Sequence, residues 1–156
     1  MPKKSAGILL YRLHNKLPEI LLVHPGGPYW LKKDDEAWTI PKGELNEDEN
    51  PLDAAIREME EETGIKVGGH FIELTPVKQK SGKLVYAWAL EYDFNPAEIK
   101  SNTFEIEWPP KSGKKKTFPE IDKAAWLGID EARKKINPAQ VALIDELEKK
   151  LQLHFP

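Results

Sequence analysis

The chain has 156 residues, 40% hydrophobic and 31% charged, which suits one domain with a core large enough to fold alone and excludes a disordered polymer. Its formal net charge of -3 gives no global attraction for nucleic acid or anionic membrane, so a phosphate-bearing ligand needs a local cationic site or a bound metal. With no cysteines, disulfides, zinc-thiolate sites and thiol catalysis are excluded.

The N-terminal MPKKSAGILLYRLHNK has two lysines and a short apolar run, without the longer apolar core and cleavage site of a secretory peptide. No stretch approaches the roughly 18 apolar residues of a membrane span, so a cytoplasmic location is expected. Ser5 to Leu13 and Glu19 to Pro25 read as two strands of a hairpin across the loop HNKLP. Pro25 to Trp38 is rich in glycine, proline and charge and reads as an exposed loop. Asn50-Pro51 begins a helix, with asparagine as cap and proline at the first turn, and Gly64 ends it. Within it Leu52, Ala55, Ile56 and Met59 form one apolar stripe. His70 to Gln79 and Lys83 to Phe94 read as strands joined at Ser81-Gly82, the second a central strand buried on both faces. Asn95 to Glu120 reads as irregular and polar, Ala124 to Ile129 as a short final strand. A C-terminal helix follows Asn137-Pro138, with Val141, Ile144, Leu147 and Leu151 on one side. The order implies an α/β fold in one domain spanning 1–156, a mixed sheet covered by helices on both faces.

Glu58, Glu60, Glu61 and Glu62 crowd the first helix, although like charges three or four apart repel. At about 100° per residue, Glu58, Glu61 and Glu62 share an arc beside the apolar stripe, while Glu60 points away. One reading is a solvated face. The other is a cation site: the arc borders the core, and the preceding IPKGE lets backbone approach at Gly43. Carboxylates with backbone carbonyls are what Mg²⁺ or Mn²⁺ requires, and such an ion turns the repulsion into binding.

Gly43, Glu49 and the run Arg57-Glu58-Met59-Glu60-Glu61-Glu62-Thr63-Gly64-Ile65 resemble the Nudix box, GX5EX7REUXEEXGU with U aliphatic. Its seven fixed glycine, glutamate and arginine positions are all present, and Met59 stands where Ile, Leu or Val is more usual. The wider GGPYWLKKDDEAWTIPKGE resembles a bacterial subgroup of predicted nucleotide pyrophosphohydrolases. The resemblance implies the Nudix α/β/α sandwich and metal-assisted hydrolysis of a nucleoside diphosphate linked to another group. It maps metal ligands onto Glu58, Glu61, Glu62 and the Gly43 carbonyl, makes Arg57 the residue that orients them, and gives Glu49 a supporting part. A further carboxylate from outside the box is expected as general base or ligand. Glu120 is the first candidate, with Glu105, Glu107 and Glu58 as rivals.

Other residues stay open between a functional and a plain reading. Lys42, beside Gly43, is either a phosphate contact or a structural ion pair. Lys111, Lys114, Lys115 and Lys116 either clasp distal phosphates or solvate a loop. Tyr29, Trp30, Trp38 and Trp108 either stack on a base or fill the core. The histidines, His14, His24, His70 and His154, lack metal-ligand spacing and are given no role. Substrates left open are dinucleoside polyphosphates, modified nucleoside triphosphates, nucleotide sugars, an RNA 5′ end and diphosphoinositol phosphates. No membrane partner is expected. The non-enzymatic alternative is a nucleotide-sensing module on the same scaffold.

Overall fold

The structure, a computed structural model, describes residues 3–154. β1 (Lys4–His14) and β2 (Leu17–Pro25) form the expected hairpin. Its turn residues, Asn15 and Lys16, have φ of 52° and 67°. Two successive left-handed residues carry the twist that antiparallel strands need.

The approach to the acidic helix contains a short strand that the sequence reading left out. β3 (Lys42–Glu44) pairs antiparallel with Ser5, Ala6 and Gly7 of β1. α1 (Pro51–Thr63) starts where the cap signal placed it: the Asn50 side chain accepts from the Leu52 and Asp53 amides, and Gly64 closes the end at φ 79°. β4 (Ile72–Lys78) and β5 (Leu84–Glu91) are antiparallel, and β5 also runs parallel to β1 from Lys4 to Tyr11.

Three expectations need correction. Asn95 to Glu120 is not irregular: β6 (Thr103–Glu107) and β7 (Lys115–Pro119) form a separate two-stranded sheet. Its polar residues disguised it, since only Phe104, Ile106 and Phe118 lie even partly inside. The last strand is longer, β8 (Ile121–Gly128), and a helix missing from the reading follows, α2 (Ile129–Lys135). Seven residues with Ala132 alone buried show no apolar period, although acids lead and bases trail as a helix dipole favours. Finally, β5 is interior but half-covered at Tyr86 and Trp88. The strands buried on both faces are β1, where Ile8, Leu9 and Leu10 are all at 0% exposure, and β2, where Ile20, Leu21 and Leu22 are as well.

The main sheet runs β4-β5-β1-β2-β8, with β3 also on β1, and it is mixed because β1 and β5 are parallel. On one face Ala6, Ile8, Leu10 and Leu21 pack against Ala54, Ala55 and Met59 of α1. On the other, Leu9, Ile20 and Leu22 pack against α2 and α3 (Val141–His154), through Ala132, Leu143, Ile144 and Leu147. The result is an α/β/α sandwich. Among the described residues no helix is long and apolar enough to cross a membrane.

Candidate active site

α1 presents more acid to the sheet than its apolar stripe suggested. Ala54 is fully buried as well as Ala55 and Met59. On the helical wheel Glu58 and Glu62 fall between Ala54 and Ala55, inside the covered arc and not beside it. Leu52 and Ile56, at the far margin of the expected stripe, are only half-buried. β3 is the element that covers the glutamates. A Cβ on Gly43 would lie 2.0 Å from both Cδ and Oε2 of Glu58, so the absence of a side chain there makes room for the carboxylate. Glu62 Oε2 accepts the Lys42 amide at 3.1 Å.

Arg57 ties the loop before α1 to the cluster. Its Nε and Nη2 donate to the two oxygens of Glu49, both at 2.9 Å, and Nη2 also donates to the Glu44 carbonyl at 3.1 Å. Nη1 is shared by Glu58 at 2.9 Å and Glu61 at 3.0 Å. Only the planar fork of an arginine makes these contacts together. The pairing holds Glu49 below the usual carboxylate range.

Glu58 and Glu62 shift the other way from Glu49. Burial raises Glu58 in spite of Arg57, with Glu61 and Glu120 adding repulsion. Burial pushes Glu62 up to about 8, followed by repulsion from Glu58 and, more weakly, from Glu120. Negative charge here is therefore under-compensated. Lys42, whose pKa burial lowers, answers it only in part. Among the described residues no three carboxylates or imidazoles already stand close enough to enclose an ion. The donor chemistry nonetheless fits a hard divalent cation: half-buried carboxylates, short of positive charge, against a strand with no Cβ in the way at Gly43.

Glu120 begins the segment into β8 and is within electrostatic reach of Glu58 and Glu62. Glu105 and Glu107 lie along β6 in the separate sheet, and Glu105 is 3.8 Å from Lys115. Lys114 is in the β6–β7 turn, roughly 20 Å along the strand from Glu120 at about 3.3 Å per residue. Because strand side chains alternate, Lys42 points to the side of β3 opposite Gly43. There it lines a cavity of about 190 Å³ with Trp30, Gln79 and Gln140. Gln79 Oε1 is buried without a hydrogen-bond partner. Trp30 is 39% exposed beneath Lys33, Tyr29 meets Trp108 edge-on, and Trp38 belongs to the core. His24, given no role from sequence, is buried and bonded at both ring nitrogens. Spacing carried no trace of that, because its partners Lys33 and Asp122 are distant or ordinary in sequence.

Comparison with known proteins agrees with this geometry. The family model described as NUDIX domain matches residues 1–147. The asymmetrical bis(5'-nucleosyl)-tetraphosphatase of Rattus norvegicus is 30% identical, across 97% of this chain and 92% of that protein. Among solved structures, a C. elegans Ap4A hydrolase binary complex superposes with a TM-score of 0.66 at 22% identity, covering 98% of this chain and 99% of that one. The NUDIX domain of Shewanella oneidensis NrtR complexed with ADP ribose gives 0.65 at 14% identity, covering 97% and 89%.

Proposed function

Because the chain belongs to the Nudix family, we propose that it hydrolyses dinucleoside polyphosphates asymmetrically, working in the cytoplasm as one domain over its whole length. Its reaction class is that of a pyrophosphohydrolase, which adds water across a phosphoanhydride. With a dinucleoside tetraphosphate, the products are a nucleoside monophosphate and a nucleoside triphosphate. One observation carries the reading: Glu58 and Glu62 are half-buried with their negative charge under-compensated, next to Gly43 and within electrostatic reach of Glu120. A fold keeps such an arrangement only where function repays its cost in stability.

Glu58, Glu61, Glu62 and the Gly43 carbonyl would hold Mg²⁺ or Mn²⁺, which when bound neutralises phosphate charge and acidifies water. Arg57 keeps Glu58 and Glu61 oriented, and Glu49 braces Arg57. Glu120 accepts the proton of the attacking water, and Lys42, on the cavity side of β3, meets the phosphates next to the bound base. The cavity lined by Trp30 and Gln79 receives one base: an aromatic wall offers stacking, and an unpaired amide oxygen offers an acceptor for a ring amine. Its volume is below the roughly 300–1,000 Å³ of sites that enclose a drug-sized ligand, which suits one end of a long substrate.

The test is a product-resolved assay with Mg²⁺ across a dinucleoside tetraphosphate, nucleoside triphosphates, ADP-ribose and 5′-triphosphorylated RNA. The tetraphosphate is expected to give the highest kcat/KM. A faster rate on another substrate rejects the substrate assignment, and no turnover of any favours the sensing module. In the same assay Glu120→Gln is expected to lower kcat about a hundredfold with little change in KM, the size of a lost general base.

Metal binding has a separate readout. Millimolar Mg²⁺ without substrate is expected to raise Tm by several degrees, since saturation to about 100 Kd adds about 2.7 kcal/mol to the folded state. A melting curve that does not move with metal contradicts the ligand set.

A further inference from the structure

His24 in β2 is 1% exposed, and each ring nitrogen has a partner. Nδ1 is 2.7 Å from Asp122 Oδ1, and Nε2 is 2.6 Å from the Lys33 carbonyl oxygen. A backbone carbonyl only accepts, so Nε2 donates to Lys33, and Nδ1 pairs with the Asp122 carboxyl group. Trp38 meets the imidazole edge-on at 5.3 Å and helps fix its plane.

What His24 holds is an irregularity next to the active site. β2 and β8 pair regularly as Val23 with Ala124 and His24 with Lys123, but Pro25 then pairs with Ile121. Asp122 is the extra residue of a bulge. Bulges bend a strand and re-aim the side chains beside them. Immediately before this one the backbone is tied at three points. The Glu120 amide donates to the Asn102 carbonyl at 2.8 Å, the Glu120 carbonyl accepts the Gly26 amide at 2.8 Å, and the Ile121 amide donates to Ser101 Oγ at 2.9 Å. Approach here is very close: a Cβ on Gly26 would lie 2.0 Å from the Pro119 carbonyl oxygen. A strand so confined has one way to absorb an extra residue, and the His24–Asp122 bond selects it.

We propose that His24 is a positioning residue: by gripping the bulged Asp122 it sets the backbone geometry that aims Glu120 at Glu58 and Glu62. This rests on Glu120 being the base proposed above. Asparagine and glutamine divide the two contacts of the histidine between them. An asparagine at 24 places a donor near the Nδ1 position, toward Asp122, whereas a glutamine places one near Nε2, toward Lys33.

The experiment compares kcat, KM and amide exchange in Asp122→Ala, His24→Asn and His24→Gln, each verified as folded by its thermal transition. Asp122 is partly exposed, so its truncation is the variant best tolerated by the core. Asp122→Ala is expected to lower kcat ten- to a hundredfold with KM within about twofold, the scale of a misplaced catalytic group. The Gly26 amide should then exchange faster, because its acceptor is the Glu120 carbonyl. His24→Asn should keep most of the rate, and His24→Gln should behave like Asp122→Ala. Adding Asp122→Ala to Glu120→Gln should cost nothing further, because the first acts through the second. Multiplying losses, a change in KM alone, or unchanged Gly26 exchange overturns the proposal. If Glu120→Gln is as fast as the parent, the base assignment falls and the positioning role with it, while hydrolysis by the α1 cluster stands on its own assay.

Discussion

Glu62→Gln is expected to cut turnover about a hundredfold or more and, in metal-free protein at pH 9, to raise Tm by about 5 °C or more. Burial pushes the Glu62 carboxyl from an ordinary 4.5 up to about 8. The folded state therefore binds its proton more tightly than the unfolded state. Stability falls as pH rises through this interval, and the cost is complete above about 8. A shift of this size corresponds to at most several kcal/mol. Glutamine keeps the shape and the acceptor for the Lys42 amide but never ionises, so it removes the cost. At about 2–4 °C per kcal/mol for a chain of this length, the gain is easily measured by calorimetry. It should shrink toward zero as the pH is lowered to 5. Turnover should fall by about a hundredfold or more, because the same charge faces the electrophilic end of the chemistry. A variant that is no more stable at pH 9 than its parent would show that Glu62 is solvated. One that turns over at the parental rate would remove it from the ligand set.

Gly43→Ala separates the site from the fold in a different way. The new methyl would fall 2.0 Å from Glu58 Cδ, an impossible contact, so the carboxylate must leave. What moves is the end of a flexible side chain, and Gly43 is not among the residues at positive φ. The fold is thus expected to lose no more than about 1 kcal/mol, a few degrees of Tm. Catalysis should drop by about a hundredfold or more, comparable to the loss from misplacing a reacting group by 1 Å. Steady-state kinetics beside a thermal melt provide the check. An alanine variant with parental kcat would mean that Glu58 has no work to do at Gly43.

These expectations draw on different depths of the protein. The spacing Gly43, Glu49, Arg57, Glu58, Glu61 and Glu62 was visible in the chain itself, as were the Asn50 cap, the Gly64 stop and the β1–β2 and β4–β5 hairpins. Each depends on neighbours within a turn or two, where backbone propensity and capping dominate. The β6–β7 pair and α2 were not visible, because their apolar residues are too few to impose a period on a polar stretch.

Amino-acid order alone placed three glutamates on one arc of a helix and the arginine that reaches two of them. Packing against β3 and the sheet decided that two of those glutamates are half-buried, at the cost of part of their hydration, and that Gly43 is the surface Glu58 touches. It also decided that Glu120, 58 positions beyond Glu62, comes within electrostatic reach of them, and that a histidine without any motif bonds to the bulged Asp122. Helix periodicity is a local property of the backbone. Desolvation and close approach belong to whatever segment the fold lays on top, and that segment is remote along the chain.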